Sequence, residues 1–302
     1  MAEITAAFPR AAKNYPNLIF AVVTIVSIGA IVAAGYGAQR YGLVNAWGIT
    51  MAFLIVFLVA LGLRVHDRPA GALIDEKNLM SLSRFQLVAW TVLIVASIIA
   101  IALARAFQGS TAFAFTIPDA LWQLLGITAG GAAGKEVVNS VKKRQVVANP
   151  DVAAAQATEA INQTADGEQK TTMQEVEAYR TGTLFGNPTP RHAQLVDMFQ
   201  GTEVGNAAYV DISKVQMFFF TIGALVAYGA DVYHMVATTA PNAITTLPDI
   251  KGGLLAMLVV SHSTYIAGKA IDHTNVAASD TAQAKANRMK SQAVDDPAEL
   301  DG

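Results

Sequence analysis

No cysteine occurs in the 302 residues, which excludes disulfide staples, thiolate nucleophiles and cysteine metal sites. Charge is scarce as well. Asp, Glu, Lys and Arg make up 15% of the chain, against about a quarter in soluble domains. The formal net charge of −2 provides no concentrated basic surface, so nucleic acid is excluded as an electrostatic partner. There is no Gly-rich phosphate loop, no H-E-x-x-H pair and no other metal-ligand spacing. Five histidines (His66, His192, His234, His262 and His273) are scattered along the chain. No catalytic constellation emerges and no cofactor is implied; the expectation is a non-enzymatic protein.

What the chain has is apolar length. Hydrophobic residues are 53% of it. A helix rising 1.5 Å per residue needs about 20 mostly apolar residues to cross about 30 Å of hydrocarbon. Six stretches qualify as expected spans: 18–39, 46–63, 85–107, 118–137, 215–236 and 248–270. The fourth and sixth are diluted by glycine and small polar residues, which suit spans buried inside a bundle. The first apolar run exceeds the about 7–15 residues of a signal core, so an uncleaved first span is expected. With the N-terminus inside, 18 of the 21 Lys and Arg fall on the inner side, leaving Arg40, Arg105 and Lys251 outside. The positive-inside rule is then met at every loop, with both termini cytoplasmic.

The phrase "SLSRFQLVAWT" from Ser81 returns 130 residues later as "DISKVQMFFFT". At the same offset Pro118-Asp119 falls on Pro248-Asp249. A fixed offset held this far implies duplication, giving two parallel hairpins about a pseudo-two-fold axis along the membrane normal. The expected fold is an all-α integral membrane bundle of six spans, two of its hairpins repeats, with a small helical cytoplasmic insert. Its parts are an N-terminal hairpin (1–64), a first repeat (65–137), the insert (138–211), a second repeat (212–272) and a disordered cytoplasmic tail (273–302). In the insert, Asn149-Pro150-Asp151 opens one helix and Thr172 with Glu175 makes a capping box for another. Asp166-Gly167 breaks the chain between them. Leu195, Met198 and Phe199 line a helical face suited to the bilayer or the bundle's inner mouth.

The repeated phrase has the form of a capping box. Ser83 would accept from the N–H of Gln86 while Gln86 reaches back, and Ser213 with Gln216 would do the same. A second reading has the two glutamines ligate a solute at the inner mouth. Lys135 and Lys269 lie near the inner ends of the fourth and sixth spans, either snorkelling to headgroups or lining a vestibule for anions. Asp231 and His234 sit one turn apart near the outer end of the fifth span. Near the midplane of the sixth stand Ser261, His262, Ser263, Thr264 and Tyr265. Of these, His262, Tyr265 and Lys269 share one stripe, and Ser261, His262, Tyr265 and Lys269 form the candidate intramembrane cluster. Its polar groups are either interhelical glue or the lining of a path.

The segments "IDEKNLMSLSRFQ" and "SHSTYIAGKA" resemble the motifs of a family of uncharacterised bacterial multi-pass membrane proteins, I-D-E-R-N…S-L-S-R-x-Q and G-I-S-H-A-G-Y-L-x-x-K-A. The resemblance covers roughly residues 70–136 and 195–272. It departs at Val259, Val260 and Ser263-Thr264, where that family has Gly, Ile and Ala-Gly. It implies a bacterial inner-membrane protein and brings no activity with it. The expected role is an assembly or scaffold subunit of a membrane complex, its partners the lipid bilayer and further copies or a larger complex. The alternative is a channel or carrier for a small solute or ion.

Overall fold

A computed structural model describes residues 15–164, 172–207, 209–271, 273–274, 283 and 286–289. The expected break at Asp166-Gly167 and nearly all of the tail lie outside these. The described residues form eight α-helices, short 3-10 turns and a few isolated bridges: α1 Tyr15–Tyr41, α2 Leu43–His66, α3 Leu82–Phe107, α4 Asp119–Lys142, α5 Pro150–Thr164, α6 Met173–Tyr179, α7 Ile212–Thr238 and α8 Gly252–Ala270. Four are long and apolar enough to cross a membrane: Asn17–Tyr41, Leu43–His66, Leu82–Phe107 and Ile212–Thr238. The expectation of six is corrected to four on this measure. α4 and α8 form where the fourth and sixth spans were expected, but Gly126, Gly130, Gly131 and Gly134 in one, and Ser261 to Thr264 in the other, lower their apolarity.

The chain divides into two compact units, and α3 and α7 each contribute residues to both. The first unit takes the described residues of Met1–Ala72 with Val88–Asp119 and Leu225–Asp249. In it α1 and α2 form an antiparallel hairpin, with Arg64 Nε donating to Asn17 Oδ1 at 2.8 Å. The joint is a single residue, Gly42, at φ 89°, a region where a Cβ is strained. Trp90, fully buried, packs against Tyr228 with ring centroids 6.1 Å apart. Trp47 Nε1 donates to Ser97 Oγ at 3.1 Å, and Ser97 passes its own proton to Leu93 O at 2.7 Å.

Two loops of this unit, 108–118 and 239–249, are tied together. Thr116 N donates to Thr245 O at 2.8 Å and Leu247 N to Thr116 O at 3.0 Å. Arg105, counted with the outer side at the end of the third expected span, is only 6% exposed. Its Nε donates to Thr111 O at 3.0 Å and its Nη1 to Pro241 O and Ile244 O at 2.9 and 3.2 Å. A guanidinium has five rigid donors and can hold several carbonyls at once, which is why the charge turns inward.

The second unit is Leu73–Leu87, Ala120–Ala224 and Ile250–Gly302. Thr172 and Glu175 form the capping box of α6, and Pro150 is the first residue of α5. The other two caps differ from expectation. α3 begins at Leu82, so Ser83 lies inside its first turn, and Gln86 donates through Nε2 to Thr221 Oγ1 at 2.6 Å rather than back to Ser83. At α7 the cap acceptor is Asp211, whose Oδ1 takes the N–H of Ser213 at 3.0 Å and of Lys214 at 3.3 Å; Gln216 is exposed. A carboxylate accepts more strongly than a hydroxyl and suits the positive helix end, so Asp211 displaces the serine one residue into α7.

Arg105→Met should release three backbone carbonyls at once. The expected loss is about 3 kcal/mol of unfolding free energy, read by denaturant titration of the purified protein in detergent. A change below about 0.5 kcal/mol, the range of an ordinary surface substitution, would mean the two loops are held by other contacts.

Candidate functional site

The second unit buries a group of ionisable side chains, among them Asp75, Lys77, Lys135, Lys214 and Lys269. It begins with the turn 74–80, where Asp75 N donates to Leu79 O at 2.9 Å and Asn78 N to Asp75 O at 3.1 Å. Asn78 takes φ 58°, a left-handed conformation that asparagine tolerates better than most residues. Asp75 Oδ1 accepts from the N–H of Lys77 at 3.0 Å and of Leu79 at 3.3 Å. That fixes the carboxylate and leaves Oδ2 facing inward, where Lys135 Nζ donates to it at 2.8 Å and also to Ser81 Oγ at 2.8 Å. Lys77 Nζ stands 3.9 Å from the same Oδ2.

Three more buried lysines surround this pair or fasten the neighbouring segment. Lys214 Nζ donates to Gln200 O. Lys269 Nζ donates to Thr202 Oγ1 at 2.8 Å. Lys142 Nζ pairs with Glu203 Oε1 and reaches Ile271 O at 2.6 Å. Glu203 Oε2 in turn accepts from His273 N at 2.9 Å. Lysines from α4, α7 and α8 thus hold the segment 200–203 from several sides. Lys135 and Lys269, candidates for snorkelling or for lining a vestibule for anions, are 4% and 8% exposed and bond to Asp75 and Ser81, and to Thr202.

The electrostatics follow from this burial. Burial opposes ionisation of Asp75, but the nearby Lys77 and Lys135 charges outweigh it and hold the carboxyl well below its usual range. Burial brings the Lys77 ammonium down to about 8, against the pull of Asp75. Asp197 Oδ2 accepts from Gln194 N at 2.8 Å and Met80 N at 3.1 Å, yet burial prevails and pushes its carboxyl up to about 6.

The four residues proposed as one intramembrane cluster share the buried face of α8 but bond in different directions. Tyr265 shares a side-chain hydrogen bond with Ser83, and Lys269 goes to Thr202. His262 donates through Nδ1 to Leu258 O at 2.9 Å, the proton being assigned from that acceptor. The ring lies against Gly131 of α4, where a Cβ would come within 2.9 Å of it. Its Nε2 is buried without a partner among the described residues. Ser261 is buried, while Ser263 turns outward and donates to Val259 O at 2.9 Å. The arrangement packs helices and holds charge.

Asp75, Lys77, Ser81, Lys142, Asp197 and Glu203 were not picked out from the sequence. One signal was present: Leu121, Leu124, Thr128, Gly131, Lys135, Asn139 and Lys142 are all buried at helical spacing on α4, so the polar residues continue the apolar stripe. Among known proteins, no family model, curated protein or solved structure matches this chain.

Asp75→Asn removes the carboxylate that Lys135 and Lys77 face, and should cost about 3 kcal/mol in denaturant unfolding, as for a broken buried pair. pH has a separate signature. Because the folded value of Asp197 is raised, the unfolded chain releases this proton first, so its contribution falls as pH rises from about 4 to about 6 and stays low above that. Unfolding measured across that window should lose this component in Asp197→Asn. An unchanged slope would place the titration elsewhere.

Proposed function

We propose that this is a non-enzymatic membrane protein that works as an assembly or scaffold subunit, and that it self-associates. The observation that carries this reading is a second glycine face on α4. Gly131 and Gly134 meet His262 and Ile266 of α8, whereas Gly126 and Gly130 have nothing within 4 Å of where a Cβ would stand. Ala129, Ala133 and Val137 continue that exposed face. Ala256, Val260, Ser263, Thr264 and Ala267 make a comparable exposed face on α8. Rich in small residues, such faces let another helix backbone approach closely. The buried lysines add a firm platform for such contacts, since they fix the 200–203 segment to the helix ends.

The same proposal keeps α4 and α8 as spans sheltered by protein, making six in two parallel hairpins, with the insert and both termini on the cytoplasmic side of a bacterial inner membrane. The pairing of Thr116 with Thr246 supports the hairpin repeat, because these residues are 130 apart and bridge in parallel. The alternative, a conduit for a small solute or ion, draws on the buried lysines alone.

Native mass measurement of the protein purified in mild detergent tests the reading. The wild type should run as an oligomer, and Gly126→Leu with Gly130→Leu should shift it to the monomer without loss of helicity. A monomeric wild type that supports ion flux in liposomes would overturn the assembly reading in favour of the conduit.

A further inference from the structure

The last segment before α7 is fastened to the beginnings of two long apolar helices. Asp197 Oδ2 accepts from the N–H of Met80, two residues ahead of α3. Phe199 O accepts from Asp211 N at 2.7 Å, and Gln200 bridges Val210 in antiparallel fashion. The Phe199 ring stands edge-on to Phe218 with centroids 5.2 Å apart, and Phe218 meets Phe85 at 5.7 Å. All of these residues belong to the second unit.

Spacing along the chain put Leu195, Met198 and Phe199 on one face, and the structure separates them. Met198 is buried and Phe199 packs on Phe218, whereas Leu195 turns outward and is 66% exposed. Tyr209, Val210 and Ile212 are each at least 60% exposed. Ile212 and Phe219, seven residues apart, carry the exposed apolar surface onto α7. The charged side chains of this stretch do not interrupt it. Glu203 and Lys214 are buried, and Asp197 and Asp211 each hold two backbone N–H groups. Arg84, in the first turn of α3, is exposed.

Water is a poor cover for such a surface. Continuity chooses the occupant. Ile212 and Phe219 belong to a helix long and apolar enough to cross a membrane, so lipid around that helix reaches the edge of the same surface. Tyrosine rings favour the boundary between headgroups and acyl chains, and an arginine beside them can extend to phosphate.

We propose that Leu195, Tyr209, Val210 and Ile212 form a collar seated in the headgroup layer of the leaflet on the insert's side, with Arg84 against lipid phosphate. The collar rests on α7 crossing a bilayer and does not depend on self-association.

The test exploits the absence of cysteine. Leu195→Cys, Val210→Cys, Tyr179→Cys and Val226→Cys each place a single spin label on the full-length protein, reconstituted in vesicles of phosphatidylethanolamine and phosphatidylglycerol. Collisions with oxygen, which concentrates in lipid, are compared with collisions with a water-soluble nickel chelate. The oxygen-to-nickel ratio at 195 and 210 should exceed severalfold that at Tyr179, an exposed residue of α6, and fall below that at Val226, exposed on α7. Ratios at 195 and 210 equal to that at 179, with Val226 still in lipid, would overturn the collar and leave the membrane reading standing. A water-like ratio at Val226 as well would remove both. Low collision rates with both reagents at 195 and 210, with spin broadening relieved by unlabelled protein, would overturn the collar in favour of a second copy covering the surface.

Discussion

A lysine ammonium taken out of water must find acceptors, and in the second unit that requirement organises everything around it. Asp75 meets it first. Its carboxylate is held by its own turn before any lysine arrives, since Oδ1 takes two local N–H groups and only Oδ2 faces inward. Lys135 can then leave solvent, and with it the end of α4. The remaining lysines use backbone and hydroxyl oxygens of residues 200–203, so the segment between α6 and α7 is held by charged donors as well as by the apolar contacts of Val204 and Ala207. A modest apolar cluster does exist nearby, around Ala153, Ala157, Val176 and Phe185. It packs α5 and α6 but contains none of the lysines.

Polar residues share this unit's interior with large apolar ones such as Leu121, Leu124, Met217 and Leu258. In the first unit Trp90, Ile94, Ile101 and Tyr228 fill the interior, and the Trp47 indole is matched by Ser97, while the Tyr228 hydroxyl is buried without a partner among the described residues. The second unit also leaves buried polar atoms unpartnered among the described residues: Lys77 Nζ, Asn139 Nδ2 and Oδ1, and His262 Nε2. Such atoms are costly, because a buried polar group left without a partner is penalised more than a small void.

How much of this could be read in advance depended on the range of the interaction. Helix positions follow from apolar length and local signals, so α1, α2, α3 and α7 were legible, as were the start of α5 and the capping box of α6. The caps of α3 and α7 were misjudged by one or two residues because competing acceptors decide them. Ser213 is a good cap in isolation, but Asp211 stands two residues earlier with a stronger acceptor. Ser83 was diverted by Tyr265, a partner 182 positions away that no local pattern reveals. The lysines were visible and their burial was not: a cation at a helix end looks the same in sequence whether it meets headgroups or a distant carboxylate. Asp75 sat inside a quoted motif, yet its role depends on α4, which lies well downstream.

The joint between α1 and α2 has a consequence for how the chain enters a bilayer. Gly42 is the only residue between two helices of 27 and 24 residues. Its own N–H still donates to Ala38 O at 3.0 Å, and its carbonyl accepts from Ala46 N at 3.4 Å, so the reversal exposes almost no bare backbone. A longer polar loop would have to be dragged through hydrocarbon ahead of the second helix, with every peptide group stripped of water on the way. Here that leading edge is a single glycine with Arg40 and Tyr41 beside it. The reversal thus keeps its backbone paired, and Arg40 is the charged residue beside it.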